Sequence, residues 1–201
     1  MKLRKLIPIF LAGLVISTLI FSAQAQAWEI ELGPNLYYFD PEDDVFREFY
    51  GAGLSYGLDS RLWFENGFGL GSEALYFTRN RYYAGDDFRV QAYSWQGAFN
   101  YSLKGNPRLR PYFGVGLAVN YVLEQNLSGK DTVANTTFGY LAGAGLEFKL
   151  KYIQPYVQIT YRDIPAEEQE LDLTGWMTGA GIQIPIPLKK KPPASAPGLE
   201  H

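Results

Sequence analysis

The sequence predicts an all-β fold: an eight-stranded antiparallel up-and-down transmembrane β-barrel. Three observations point there. Segment after segment alternates with a period of two residues, the mark of a strand between two unlike surroundings. The connections alternate between short and long. The two strand faces also have opposite compositions, one aromatic and the other rich in glycine and polar residues. Aromatics make up 16% of the chain, with 15 Tyr, 13 Phe and 21 Gly, a mix that suits strands and tight turns.

The alternation defines eight segments: 28–39, 46–58, 62–78, 90–103, 109–123, 137–150, 153–162 and 173–184. In the first, Trp28 and Tyr38 share one face, and Glu29, Glu31 and Asn35 the other. The second sets Tyr50 and Tyr56 against Gly51 and Gly53. The third carries Glu65, Gly67, Gly69, Gly71 and Glu73 on its polar face. Leu75 and Phe77 continue that face, which predicts either a bulge near 71–74 or a strand that continues above the membrane. The fourth sets Tyr93, Trp95, Phe99 and Tyr101 against Gln96 and Asn100, and the fifth Phe113 and Tyr121 against Gly114, Gly116 and Asn120. The sixth opposes Phe138, Tyr140 and Phe148 to Gly143, Gly145, Glu147 and Lys149. The seventh opposes Tyr161 to Gln154, Gln158 and Arg162, and the eighth Trp176 to Gly179, Gly181 and Gln183. Each segment can hold the roughly 9–11 residues that a tilted strand needs to cross a bilayer.

The composition of the faces decides which one meets lipid. Eight strands enclose just enough room for side chains. The aromatic set would overfill that lumen, whereas glycines fit it and tolerate strong bending. The polar side chains would cost a few kcal/mol each in lipid but can pair inside. The aromatic face therefore points outward, with Trp28, Tyr38, Tyr101 and Trp176 expected at the membrane interfaces. A secreted barrel with an apolar interior is the alternative architecture.

The expected connections are short at 57–61, 104–108 and 151–152, and long at 40–45, 79–88, 124–135 and 163–172. This is the layout of tight periplasmic turns and long external loops. Residues 1–27 read as a secretory signal peptide: a basic start (Lys2, Arg4, Lys5), an apolar run, and an A-x-A site with cleavage after Ala25 or Ala27. The barrel is expected over 28–186. The remainder, 187–201, is a Pro- and Lys-rich periplasmic tail, expected to be extended, whose Leu199-Glu200-His201 resembles the stub of a cloning tag.

RPYFGVGLAV (110–119), AGAGLEF (142–148) and TGWMTGAGIQI (174–184) resemble the small outer-membrane barrels of Gram-negative bacteria, the family of the outer membrane protein A transmembrane domain. The resemblance covers residues 28–186 and implies the Gram-negative outer membrane, with lipid and lipopolysaccharide as surroundings. It also implies recognition of the last strand (Gly179, Ile182, Ile184) by the barrel-assembly machinery. The chain departs from the family in running on past that strand without a terminal aromatic.

For function, the residue inventory excludes more than it selects. There is no Cys, and the single His is His201, so a histidine base within the barrel is absent. A Ser–Glu or Asp–Asp site remains open, and a lipid-modifying enzyme is the third-ranked reading. No catalytic residue, metal ligand or cofactor is assigned. A formal charge of −3 argues against a nucleic-acid partner. Two readings lead. In the first, the barrel is non-enzymatic and plays a structural or surface-interaction role through acidic loops. Asp43, Asp44, Asp86, Asp87, Glu167 and Glu168 are its candidate contacts for cations or a surface partner. In the second, it is a narrow gated channel for ions or small solutes, with Glu31, Glu73, Glu147, Lys149, Arg162 and Arg79 as a lumen network that could act as the gate.

Overall fold

A computed structural model describes residues 27–83, 86–103, 108–127, 132–164 and 172–188. Apart from Ala27, Pro187 and Leu188, the expected signal peptide and tail lie outside these residues. Eight antiparallel strands close into one barrel in sequence order. They are β1 (Ala27–Pro41), β2 (Gly53–Phe64), β3 (Phe68–Tyr83), β4 (Asp86–Ser102), β5 (Leu109–Asn126), β6 (Thr132–Phe148), β7 (Gln154–Asp163) and β8 (Gly175–Pro187). A short helix, α1 (Asp44–Phe49), follows β1. Pairing of β1 with β8, from Glu29↔Pro187 to Pro41↔Gly175, closes the sheet and removes its edges. We call the end that holds Ala27 and Pro187 the terminal end, and the opposite one the loop end.

The glycine-rich face is inside. Glu31, Glu147, Asn120 and Gln183 are fully buried, while Phe99 is 71% and Phe138 66% exposed on the outer wall. The narrowness that selects glycine is visible in the packing. A Cβ added at Gly145 would sit 2.4 Å from the Tyr112 ring, and one at Gly181 would sit 2.5 Å from the Tyr156 ring. Two rows of outward aromatics band the wall. Near the terminal end, Phe68, Tyr101 and Phe113 stack in series at 5.0 and 5.7 Å. Nearer the loop end, Tyr56, Tyr76 and Tyr93 do the same at 5.4 and 5.0 Å. Phe68 and Tyr76 on β3 are about 26 Å apart along the strand, or about 20 Å along the barrel axis at ~40° tilt, close to the height of an outer-membrane apolar band.

The second strand departs from expectation. Residues 46–49 are helical: the Asp43 side chain caps α1, accepting from the Phe46 amide at 2.5 Å, and Phe46 is buried. Tyr50, expected on the outer wall, caps the helix C-terminus and points inward. β2 then runs through 57–61, the expected turn, and the chain reverses at Glu65-Asn66-Gly67. There Gly67 takes φ 95° and the Asn66 side chain accepts from the Phe68 amide at 3.1 Å. Glu65 lies in this turn and not in the lumen.

No bulge forms near 71–74. The β2–β3 register runs unbroken from Ser55↔Phe77 to Trp63↔Gly69, so β3 continues upward, with Leu75 and Phe77 turned inside. The stretch 79–88 is paired out to Tyr83↔Asp86, and 124–135 is paired as far as Gln125↔Thr132. Two expected loops are thus tall hairpins. β3 to β6 hold 16, 17, 18 and 17 residues, against 10 in β7.

Candidate functional site: the filled lumen and the loop end

The lumen holds two stacked layers. In the terminal half, Arg110 on β5 gathers three carboxylates: Glu29 at 3.2 Å, with Glu31 and Glu147 in closer contact. Its guanidinium also donates to Gln154 Oε1 at 2.9 Å and lies 4.6 Å from the Trp63 ring centroid. Trp63 Nε1 donates to Glu31 Oε2 at 2.8 Å. Next comes Arg61 on β2, sandwiched between the Tyr112 and Tyr156 rings at 4.5 and 4.2 Å. It pairs with Asp59 at 3.1 Å, approaches Glu147 at 3.9 Å, and donates to Gln158 at 3.1 Å. Asp59 accepts from Gln183 at 2.8 Å. Two arginines thus link the acids of β1, β2 and β6 across the bore.

The loop half is apolar apart from Arg162, Asn120 and Ser94 at its lower edge. Tyr37, Phe39, Leu75, Phe77, Val90, Ala92, Val122, Leu141 and Met177 fill it from the strands, and Phe46, Tyr50, Ile164 and Leu173 close it from above. The aromatic members interlock edge to face, Phe39 with Phe46 at 6.0 Å and with Phe77 at 5.8 Å. α1 is held over this plug by arginines of β3: Arg79 donates to the Ala52 carbonyl, and Arg81 to the carbonyls of Glu48 and Phe49. The Tyr50 hydroxyl donates to Glu124 at 2.5 Å. Burial, and then this contact with a carboxylate, raises the Tyr50 phenol above its ordinary range. Two small cavities within the lumen measure about 10 and 40 Å³, the size of one or a few waters.

The residues singled out in the sequence do not all meet. Glu31 and Glu147 come together on Arg110. Glu73 sits higher, accepting from Asn35 Nδ2 at 2.5 Å. Lys149 lies just past β6 at the terminal end, half-buried, with its amide on the Arg108 carbonyl at 2.8 Å. Arg162 is buried where the plug meets the polar layer, and donates to Ser94 at 3.1 Å and to Asn120. Arg79 lies outside the lumen, exposed, on the backbone after α1. Among the loop acids, Asp43 is spent as a helix cap, Asp44 is exposed in the first turn of α1, and Asp86 and Asp87 open β4. Glu167 and Glu168 lie outside the described residues. Among the described residues, no group of three or more acids is placed to hold a metal ion. Sequence reading missed Arg61, Arg110 and Asp59, the centre of the network. The unbroken alternation Ser55-Gly57-Asp59-Arg61-Trp63, which ends at Asn66-Gly67, was the signal that locates the β2 members.

A family model described as the outer membrane protein beta-barrel domain matches residues 11–184. Against curated proteins, the chain finds no match. Several solved structures share the fold at low identity. Outer membrane protein OprG of Pseudomonas aeruginosa is similar at 13% identity, over 80% of this chain and 97% of that one, with a TM-score of 0.62. Neisserial surface protein A is 14% identical over 77% of this chain and 96% of that one, with a TM-score of 0.58. Ail, the attachment invasion locus protein of Yersinia pestis, solved with the heparin analogue sucrose octasulfate, is 14% identical over 80% of this chain and 99% of that one, with a TM-score of 0.54.

Proposed function

The chain belongs to the outer membrane protein β-barrel domain family, and from that premise we propose that it is a non-enzymatic closed barrel with a structural and surface-interaction role. Its working part is the acidic loop end, facing the cell exterior. Exported by way of residues 1–27, it would keep its short turns and its 187–201 tail in the periplasm, as an even strand number requires. Sequencing the N-terminus of the exported chain checks the first step: it should begin at Gln26 or Trp28. The exposed wall residues of β8, Ile182 and Ile184, are the side the assembly machinery would read.

The observation that carries the proposal is the doubly filled lumen. A solute would have to part the Arg110 and Arg61 ion pairs and then displace an aromatic plug roofed by α1. What remains accessible is the loop end, where Asp40, Glu42, Asp44, Glu48 and Asp87 are exposed. Their field attracts cations or a basic partner and repels a sulfated polyanion of the kind bound to Ail. Divalent cations shared with lipopolysaccharide phosphates suit the same surface.

A gated channel is the second reading. It is favoured by one feature: Arg110 is shared by three carboxylates, so partners can exchange without leaving a charge alone. Planar-bilayer conductance of the folded barrel separates the two. Silence, with salt-sensitive binding of polylysine that falls in a variant carrying Asp44→Asn, Glu48→Gln and Asp87→Asn, supports the surface role. Discrete current steps that change in Glu73→Gln would replace it with the channel.

A further inference from the structure

We infer that the lumen contains a binding site for one small monovalent anion, of the halide class, at the boundary between the ion-pair network and the apolar plug. Arg162 and Asn120 are its donors. Both side chains are buried, Arg162 to 5% exposure and Asn120 to 0%. Arg61 and Arg110 each pair with carboxylates, but among the described residues Arg162 makes no ion pair. Its Nη2 donates to Ser94 Oγ and Asn120 Oδ1, and its Nη1 reaches only the Met177 sulfur at 3.2 Å. Its Nε has no partner among the described residues.

The Asn120 amide is oriented by this arrangement. A guanidinium only donates, so the amide oxygen must face Arg162 and the amide nitrogen must point away. That nitrogen is buried and also lacks an acceptor. Both side chains line one cavity of about 10 Å³, space for the centre of a single small sphere. Besides Arg162 and Asn120, its walls are the Ser55 and Ser94 hydroxyls, which can donate or accept, and the apolar side chains of Phe39, Leu75, Phe77, Ala92, Leu173 and Met177. A water molecule would satisfy the two donors, and the serine hydroxyls could accept from it, but it carries no charge to set against the guanidinium. A halide needs no acceptor, and its charge offsets that of the guanidinium. No acid lines the cavity. Glu73, whose charge acts on Arg162, lies outside it and is engaged by Asn35. An unpaired buried charge is strongly unfavourable, which gives the anion its driving force.

The test is the stability of the barrel refolded separately in sodium chloride, sodium bromide and sodium gluconate at one ionic strength, since gluconate is too large to enter. Chloride and bromide should raise the unfolding midpoint saturably. An ion present at 100 times its dissociation constant multiplies the folding equilibrium about 100-fold over gluconate. Asn120→Asp places a fixed carboxylate beside the guanidinium and should abolish the halide dependence. Crystals of the unaltered protein grown in bromide should show one anomalous peak beside Arg162, a readout independent of any variant. Equal midpoints in the three salts, or crystals without that peak, would overturn the inference, as would halide dependence that persists unchanged in Asn120→Asp.

Discussion

The two halves of the lumen solve the same packing problem with opposite chemistry. The terminal half is filled by charges, three carboxylates on Arg110 and one aromatic-sandwiched Arg61, and every gain there is set against desolvation. The loop half, apart from Arg162 at its lower edge, is filled by rings and aliphatic chains that gain from burial outright. The lesson is one of division. The charged half fixes which strands face one another, because its pairs connect β1, β2, β5 and β6. The apolar half seals the bore, because opening it must wet a hydrophobic plug. A charge in the first half is dangerous to remove, whereas in the second half it is volume that cannot be spared.

The largest disruption of that contrast is Arg110→Met. It strands Glu29, Glu31 and Glu147 in the bore, and we expect a loss of roughly 4 kcal/mol in urea unfolding followed by heat-modified gel mobility. Leu75→Ala opens the plug and should cost about 3 kcal/mol through lost burial and a residual void. Because each single variant leaves one layer filled, Leu75→Ala and Arg110→Met should each stay silent in planar bilayers, and only their combination, where it folds, should conduct. Asp43→Ala removes the cap of α1. A loss of about 1 kcal/mol should appear as faster proteolysis in 42–52, with the strands still protected. The roof should also loosen at high pH. The folded Tyr50 phenol is raised above the unfolded value of about 10, so its contribution is full below that pH and is lost as pH climbs past it. Protease nicking of the roof should rise above pH 10 in the parent and stay flat in Tyr50→Phe, which loses only the Glu124 hydrogen bond, about 1 kcal/mol. Smallest of all, Asp86→Asn with Asp87→Asn should change stability by less than about 0.5 kcal/mol.

The barrel was legible because lipid and lumen impose opposite demands on alternate residues, and period-two patterning records both. β2 was misread because a narrow lumen selects the residues that turns select. Gly57, Asp59 and Ser60 look like a reversal, yet Gly57 leaves room against the β3 backbone and Asp59 pairs with Arg61 inside. Displacing that strand hid Arg61 and, with it, the centre of the network. Arg110 stands near Arg108 at the start of β5, where basic residues are common at a barrel rim, yet its parity with Tyr112, Gly114 and Gly116 marks it as inward. The plug was half visible in Leu75 and Phe77. Its roof was not, because α1 is a single turn and a half whose Phe46 and Tyr50 also satisfy a strand pattern. No periodicity could show that Arg162 would finish among rings with no acid beside it.

The uneven strand lengths shape what a neighbouring cell or molecule would meet. β5 has 18 residues and β7 has 10, so one flank carries about 26 Å more strand than the other. Among the described residues, the surplus rises at the loop end as a stiff, hydrogen-bonded parapet of β3 to β6. In a membrane coated with sugar chains, such a parapet would hold its tips clear of the lipid surface. Anything that docks against it meets backbone already held in place by pairing, so little ordering is left to be lost on contact.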